Sequence, residues 1–244
     1  MKKAWKLTCG ELEELSLEEA VMPFRRAALV GGGGKTSLMY ALADGLAAHG
    51  FRTALTTTTH MMPPENMPMC RCLEDCEARW CSGFPALWCR DTGGEKLEGL
   101  PEQEFRQLLR ADRLLVEADG AKRLPCKVPA AHEPVIPPEA DLVLGVVGLS
   151  AWNRPLGEVC FRWELAADRL NCGPDRLLTA EAMAELLAAP WGGRKSVGDR
   201  RYLAVLNQGD DPEAREIGRQ ILLILRDKFG VDGIITCLQG EEHE

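Results

Sequence analysis

The sequence predicts an α/β protein with a three-layer, doubly wound and mostly parallel sheet. Short apolar runs alternate along the chain with helix-like stretches, as parallel strands do with crossover helices. A glycine-rich segment lies between the first of these runs and the first of these helices. The chain has 244 residues, of which 45% are hydrophobic, so it can bury the core of one large domain.

Six segments are expected to be strands because each is short, apolar and rich in residues that favour extended backbone. They are residues 26–30, 51–57, 114–117, 142–147, 202–206 and 233–237. Helices are expected at 35–49, 102–110 and 212–229; Pro212 suits the first turn of the last helix. In a sheet of this kind the ligand binds beyond the carboxyl ends of the strands.

The domain organisation is expected to be a single domain over residues 1–244, with irregular insertions at about 61–99 and 124–138. The first insertion is rich in Met, Cys, Trp, Pro and Gly, and the second is rich in Pro. Long ordered loops at the ligand edge of such a sheet often act as lids, so both are candidates to cover a site.

Composition excludes several classes of protein. The formal net charge of -8 argues against a nucleic acid partner, because that binding relies on clustered Lys and Arg. The first 20 residues turn acidic after a basic tip, unlike a secretory signal. The longest apolar run, 142–149, is much shorter than the about 20 residues that span a bilayer. We therefore expect a cytoplasmic protein that does not enter a membrane.

The ten cysteines are expected to be reduced thiols, because the chain is neither short nor secreted. Five of them lie between Cys70 and Cys89, but their spacings lack the paired C-x2-C of structural zinc sites. Free cysteines in a variable excursion are therefore favoured over a metal site.

The segment VGGGGKTS, residues 30–37, has the composition of a phosphate-binding P-loop. Glycines let backbone N–H groups turn towards an anion, and the following helix adds its positive end. Lys35 would reach the β and γ phosphates of a nucleoside triphosphate, and the Thr36 hydroxyl would ligate Mg²⁺. Leu29 stands where the strict pattern has glycine, so the loop is shorter or differently wound, and a flexible turn is the alternative. The predicted phosphate-binding residues are Gly31, Gly32, Gly33, Gly34, Lys35, Thr36 and Ser37.

The segment LLVEADGAK offers the acids that a metal-bound phosphate site needs. Glu117 and Asp119 follow an apolar strand, and side chains at i and i+2 of extended backbone point the same way. Asp119 is expected to hold Mg²⁺ together with Thr36. The predicted catalytic residues are Lys35, Glu117 and Asp119, with a solvated turn as the alternative.

The segment NQGD, residues 207–210, resembles the N-K-x-D motif with which P-loop GTPases read guanine. Asn207 and Asp210 would contact the base, because a carboxylate accepts hydrogen bonds from guanine N1 and N2. Gln208 replaces the usual lysine, and Asn, Gly and Asp are also common in turns. Asp211 would equally cap the following helix.

Other polar residues could form a substrate or switch element. A hydroxyl or imidazole at the end of the second strand could sense the γ-phosphate, or these residues are simply strand and turn. In the proline-rich insertion, Lys127, His132 and Glu133 form either a substrate contact or a hydrogen-bonded loop. For Arg162, which follows the apolar run 142–149, a solvated face is favoured over an arginine that acts in trans. The candidates for such an element are Thr58, Thr59, His60, Lys122 and His132.

Taken together, VGGGGKTS, TTTTHM, EADGAKRLPCKVPAAHEPVIP and NQGD resemble the YqeC family, described as selenium cofactor biosynthesis or selenium-dependent molybdenum hydroxylase accessory proteins. Of these four segments, EADGAKRLPCKVPAAHEPVIP is the one most specific to the family. The resemblance implies the fold of P-loop containing nucleoside triphosphate hydrolases and a role in maturing a selenium-containing molybdenum hydroxylase. The hydroxylase or its cofactor-maturation proteins would then be partners.

The expected function is Mg²⁺-dependent binding of GTP, preferred over ATP, with its hydrolysis, in selenium or molybdenum cofactor insertion. One alternative is a kinase-like transferase that phosphorylates a small substrate bound under the two insertions. The other is a nucleotide-gated carrier that delivers selenium or a metal through its cysteines, with slow or absent hydrolysis.

Overall fold

The computed structural model describes residues 2–64 and 67–238. Its elements in chain order are β1 (Lys3–Thr8), β2 (Glu11–Ser16), β3 (Arg26–Gly31), α1 (Lys35–Ala48), β4 (Thr53–Thr57), β5 (His60–Met61), β6 (Met69–Cys70), α2 (Leu73–Cys81), β7 (Ala86–Trp88), β8 (Arg90–Asp91), β9 (Leu97–Glu98), α3 (Glu102–Leu108), β10 (Arg113–Glu117), β11 (Cys126–Lys127), β12 (Leu142–Gly148), α4 (Leu156–Val159), β13 (Cys160–Phe161), α5 (Trp163–Leu170), α6 (Ala180–Ala188), β14 (Arg201–Asn207), α7 (Pro212–Phe229) and β15 (Gly233–Cys237).

The central sheet has 10 strands in the order β2-β1-β15-β14-β12-β3-β10-β4-β7-β6. All neighbours from β15 to β6 pair in parallel, and the hairpin of β1 and β2 adds an antiparallel edge beside β15. The predicted fold class, a three-layer and mostly parallel doubly wound sheet, is confirmed.

Helices cover both faces of the sheet, which is why its central strands are apolar throughout. Side chains alternate across each strand: Ala54 of β4 belongs to the apolar cluster under α2 and α3, and Leu55 to the cluster under α1. On the first of these faces, Ala28 of β3 lies in register with Val116 of β10 and continues the layer towards α6 and α7. Thus α1 covers one face, and α2, α3, α6 and α7 cover the other.

The six predicted strands are present as β3, β4, β10, β12, β14 and β15. Helix α7 has the predicted bounds because its ends carry local signals. Asp211 caps its start by accepting a hydrogen bond from the Ala214 N–H at 2.8 Å, Pro212 occupies the first turn, and Gly230 ends it with a φ of 60°.

The stretch 61–99, expected as an irregular insertion, is regular for much of its length. It contains α2, and its strands β6 and β7 extend the main sheet, while β5, β9 and β8 form a small sheet. These strands have only two or three residues, so no periodicity marks them. Burial holds them in place: the indole N–H of Trp80 donates to the Thr53 carbonyl at 2.9 Å, and Leu87 is fully buried.

The second insertion, 124–138, is irregular apart from β11, which pairs with β13. It nevertheless contacts the carboxyl ends of the central strands, since the Gly33 N–H donates to the Leu124 carbonyl at 3.0 Å. The chain leaves β3 towards β4 on one side and returns later to β12 on the other. The carboxyl end of β3 is therefore the switch point at which such sheets bind ligands.

In 2–64 and 67–238, no helix is long and apolar enough to cross a bilayer.

Candidate functional site

The glycine loop is short. Strand β3 ends at Gly31 and helix α1 begins at Lys35, so only residues 32–34 connect them. Gly33 and Gly34 have φ values of 72° and 94°, which favour glycine. Leu29, which breaks the strict P-loop pattern, lies fully buried inside β3. The glycine loop is therefore shorter than the loop that the strict pattern describes. Because of Leu29, the sequence predicts a shorter or a differently wound loop, and the shorter one is present.

Three glycine amides of the loop already have acceptors. The Gly31 N–H donates to the Asp119 carboxylate at 3.1 Å, the Gly32 N–H to the Val146 carbonyl at 2.9 Å, and the Gly33 N–H to the Leu124 carbonyl at 3.0 Å. A Cβ at Gly33 would lie 2.0 Å from the Gly148 nitrogen, so the loop packs against neighbouring backbone.

The start of helix α1 is where an anion can approach. Gly34 is its N-cap and supplies no side-chain hydrogen bond, and the first amides of a helix have no partner within it. Both Gly34 and Ser37 are exposed. Unpaired N–H groups and the positive helix end therefore face solvent at this point.

Lys35 and Thr36 point from α1 towards the end of β10. Lys35 is 4% exposed, and its Nζ lies 2.7 Å from the Gly31 carbonyl oxygen and 3.1 Å from Asp119 Oδ1. The Thr36 hydroxyl donates to Glu117 Oε2 at 2.6 Å. The structure thus brings both predicted acids to Lys35 and Thr36 of the glycine motif.

The two acids differ in their surroundings. Glu117 meets Thr36, whereas the Asp119 carboxylate accepts hydrogen bonds from the Gly31 N–H and forms ion pairs with Lys35 and Lys127. Burial raises the pKa of Glu117 above its ordinary value, although Lys35 opposes the shift. The contact at Thr36 is therefore with Glu117, and the predicted metal pair of Thr36 and Asp119 remains a prediction.

Lys127 extends this site into a buried chain of charges. Its side chain is 1% exposed; Nζ lies 3.1 Å from Asp119 Oδ2 and 2.7 Å from Glu133 Oε2, and donates to the Gly120 carbonyl at 2.7 Å. The Arg162 guanidinium donates to Glu133 Oε2 at 2.6 Å. Burial works against ionisation of Glu133, but hydrogen bonds from Arg162 and Lys127 lower its pKa to about 2.

The role of Lys127, Glu133 and Arg162 was only partly predictable. Of the two alternatives for the insertion, Lys127 and Glu133 form the hydrogen-bonded loop. The solvated face favoured for Arg162 is wrong, because its side chain is 23% exposed and pairs with a buried acid. Lys127 and Glu133 lie in the proline-rich segment and Arg162 lies 29 residues after Glu133, so no periodic spacing connects the three. Only their charge pointed to them.

On the other side of the glycine loop, Asn207 ends β14 and braces the loop. Its amide Nδ2 donates to the Gly33 carbonyl at 2.8 Å, and its Oδ1 accepts from the Thr236 hydroxyl at 2.9 Å. Asn207 is 3% exposed, so these two bonds fix its orientation.

Asp210 lies outside this buried region. It is exposed and lines a cavity of about 450 Å³, whose apolar walls come from Leu149, Trp152 and Ile217. Gln208, in place of the usual lysine, accepts a hydrogen bond from the Ser150 N–H at 3.3 Å through Oε1. Gln208, which also lines the cavity, directly follows Asn207, the residue that braces the glycine loop.

The remaining candidates are separate from Lys35. The Thr58 hydroxyl donates to the Val135 carbonyl at 2.7 Å, and His60 Nε2 lies 3.6 Å from Glu98 Oε1. In the second insertion, Lys122 Nζ lies 5.0 Å from the centre of the Phe161 ring, and His132 is exposed.

All ten cysteines are free thiols. Over the part of the chain that the structure describes, no three His, Cys, Asp or Glu side chains are arranged to hold a metal ion.

The sheet, the glycine loop at its switch point and the acids of the next strand define an α/β protein with a P-loop-like arrangement. The family model described as YqeC protein matches residues 27–164, and the chain belongs to this YqeC family. Its matched range contains the glycine loop and the whole buried chain of charges up to Arg162, whereas Asn207 and Asp210 lie outside it.

The chain is also similar to the YqeC protein of Escherichia coli (strain K12). The two are 33% identical over 180 residues, which cover 69% of this chain and 70% of the relative. No solved structure matches the chain.

Proposed function

We propose that this protein binds a nucleoside triphosphate together with Mg²⁺ and hydrolyses it, with GTP preferred over ATP. One observation carries the proposal. Lys35 and Thr36, at the start of α1, converge on Glu117 and Asp119 at the end of the neighbouring strand. A cation, a hydroxyl and two carboxylates beside a free helix N-terminus are the groups that phosphate and its metal require.

The oxygen donors suit Mg²⁺. This ion prefers hard oxygen ligands, and the Thr36 hydroxyl and Glu117 carboxylate are already in contact. Thr36 and Glu117 would hold the ion, and Asp119 would complete the acidic surroundings. When bound, Mg²⁺ neutralises charge on phosphate oxygens.

The protein's own residues would hold and polarise the phosphates. The amides at the start of α1 would bind phosphate oxygens, as would Ser37 at the same turn. The Lys35 ammonium now neutralises Asp119 and would turn to the β and γ phosphates, where it stabilises charge in the transition state. Lys127 would stay paired with Asp119 when Lys35 turns away, so that the buried carboxylate keeps one ion-pair partner.

The preference for guanine rests on Asp210. Its carboxylate lines the cavity beside the loop, and it would accept hydrogen bonds from guanine N1 and N2, which adenine does not offer. Asn207 would position the loop and the adjoining base.

We also propose a biological role, as the resemblance of the sequence motifs to the YqeC family implies it. The protein would be a cytoplasmic accessory factor in selenium or molybdenum cofactor maturation, acting with a molybdenum hydroxylase or its maturation proteins. A phosphotransferase is the second candidate function. A cleft of about 590 Å³ lies between the ends of the two insertions, and this is where a small substrate that accepts the phosphoryl group would bind.

Calorimetry with GTP and with ATP, each with Mg²⁺, tests the nucleotide proposal. Lys35→Ala and Thr36→Val should weaken binding by about 10- to 100-fold, because each removes a charge-assisted or metal contact. Lys96→Ala, which changes an exposed lysine, is the control. Absence of binding by the folded wild-type protein at about millimolar nucleotide contradicts the proposal.

Phosphate release separates the candidates. Release by the protein alone supports hydrolysis, whereas release or transfer only on addition of a small acceptor supports the phosphotransferase. Binding without turnover in either case supports the carrier, which should then lose its cargo on substitution of Cys70, Cys72 or Cys76.

A further inference from the structure

The cleft of about 590 Å³ lies beyond the carboxyl end of β4. Three parts of the chain form its walls: the end of β4, the stretch from the end of β9 into α3, and the second insertion. Its lining residues are Thr57, Thr58, Thr59, His60, Glu98, Gly99, Leu100, Glu102, Phe105, Arg106, Val135, Ile136, Pro137, Pro138 and Glu139.

Backbone hydrogen bonds join this cleft to the phosphate site. The Thr57 hydroxyl and the Thr58 N–H donate to the Glu117 carbonyl at 2.8 Å and 3.1 Å. The Val135 N–H donates to the Ala118 carbonyl at 3.0 Å. Two walls of the cleft are therefore held by the backbone that carries Glu117 and Asp119, so a ligand here lies beside the phosphate site.

The apolar part of the lining suits a ring or hydrocarbon body. Leu100, Phe105 and Ile136 contribute, with the two neighbouring prolines. Val135 is 45% exposed, which makes it one of the most exposed large apolar side chains among the described residues. Exposed apolar surface gathered in a concave site is typical of ligand-binding pockets.

The charged part of the lining is acidic. The lining has three carboxylates, those of Glu98, Glu102 and Glu139, and one guanidinium, that of Arg106, which already donates to Glu102 Oε1 at 2.6 Å. His60 also lines the cleft, and its Nε2 lies 3.6 Å from Glu98 Oε1. In the described chain, Glu139 has no ion pair. The excess of carboxylates favours a cation over an anion at this position.

Thr59 also lines the cleft, but its hydroxyl oxygen is buried and has no hydrogen-bond partner among the described residues. Because this oxygen is closed to solvent, a ligand in the cleft does not reach it. The choice of ligand therefore rests on the apolar and the acidic lining.

We propose that this cleft binds a small molecule with an apolar or aromatic body and a cationic amino group. Its use as the site of a second substrate rests on the proposed nucleotide function. The binding itself depends only on the lining of the cleft and needs no nucleotide.

Two probes with the same ring and opposite charges test the proposal: tryptamine, which carries an ammonium group, and indole-3-acetate, which carries a carboxylate. Calorimetry on the full chain should show tryptamine binding about tenfold more tightly. Equal affinities, tighter binding of indole-3-acetate, or no tryptamine binding at about millimolar concentration overturns the proposal.

Two matched variants place the binding. Val135→Trp fills the cleft and should abolish tryptamine binding, whereas Leu177→Trp alters a similarly exposed residue outside the lining and should not. Glu139→Gln should reduce the preference for tryptamine, with the exposed Glu164→Gln as control. Unchanged binding by a folded Val135→Trp protein contradicts the location.

The proposed nucleotide site and the proposed cleft site can be tested independently of each other. Lys35→Ala should weaken nucleotide binding and leave tryptamine binding unchanged, since Lys35 does not line the cleft. Tryptamine binding without any nucleotide binding would leave the cleft assigned and refute the nucleotide site, and the reverse result would refute only the cleft.

Discussion

The two sides of the glycine loop are built differently. On the β10 side, Glu117 and Asp119 are 5% and 1% exposed and belong to a buried chain of charges. On the β14 side Asn207 is buried, whereas Asp210 is exposed and lines an open cavity. The side of the site that would bind phosphate and metal is thus already held together by contacts within the protein. The side that would bind the base is an open cavity.

This difference has an energetic meaning. Buried charges must be paired, because the desolvation cost of an isolated ion in the interior is several kcal/mol. Each acid of the β10 side has a basic or hydroxyl partner, so removing one partner affects the others. An exposed acid such as Asp210 is stabilised by water and can be changed at little cost.

The largest expected effect is that of Lys127→Met. It leaves Asp119 and Glu133 buried with fewer partners, and we expect a loss of about 3–5 kcal/mol in the free energy of unfolding. Urea denaturation measures it, with the exposed Lys96→Met as control. Similar stability of the two variants would mean that the β10 side is not a cooperative chain of charges.

Glu133→Gln should cost about 1.5–3 kcal/mol at neutral pH, because it weakens two charge-assisted hydrogen bonds. The folded pKa of about 2 lies below the ordinary value of 4.5, so this stabilisation is complete above about pH 4.5 and is lost as the pH falls towards 2. The difference between variant and wild type should therefore shrink in acid. Urea denaturation at neutral pH and near pH 3 checks this, with exposed Glu139→Gln as control; a pH-independent difference contradicts the pairing.

Glu117→Gln should have a smaller effect of opposite sign on stability. Because burial raises the pKa of Glu117, the folded protein holds this proton more tightly, and stability decreases as the pH rises above the ordinary value. The neutral amide avoids that penalty, so the unliganded variant should unfold at a higher temperature at neutral pH, while Mg²⁺-dependent nucleotide binding is lost.

Asp119→Asn is the matched comparison for Glu117→Gln. Asp119 is paired with two lysines, so its neutralisation should lower the unfolding temperature. The same direction of change in both variants would contradict the distinction between the two acids.

The smallest expected effect on stability is that of Asp210→Asn, within about 0.5 kcal/mol. Its effect on selectivity should be larger: the amide would favour xanthine over guanine nucleotides by about tenfold, as calorimetry with GTP and XTP measures. Glu213→Gln, at the same cavity, is the control. Unchanged selectivity would remove Asp210 from the proposed base site.

The core of the fold was predictable because its signals are local. Helix α7 carries its own cap, its first-turn proline and its terminal glycine, and the central strands are continuous apolar runs. The outer strands lack such signals. Residues 69–70 and 86–88 become strands only because β4 offers an open edge, and the polar hairpin of β1 and β2 pairs with β15 in the same way.

The site was predictable to a similar depth. Each motif follows a strand, and parallel strands bring their carboxyl ends together, so Lys35, Thr36, Glu117 and Asp119 were expected to meet. Which partner each acid has was not predictable, since it depends on the groups that the surrounding segments supply. The hydrogen bonds made by the loop glycines also depend on the second insertion.

The sequence by itself determined the class of sheet, the place of the glycine loop and the residues gathered around it, because periodicity, caps and turn residues act over a few neighbours. Only the tertiary structure decided that Thr36 pairs with Glu117, and that Asp119 joins Lys127, Glu133 and Arg162 in a buried chain. Thr36 and Glu117 are 81 residues apart in the sequence, and Glu133 and Arg162 are 29 residues apart. Such pairs form because burial requires each charge to find a partner wherever packing brings one.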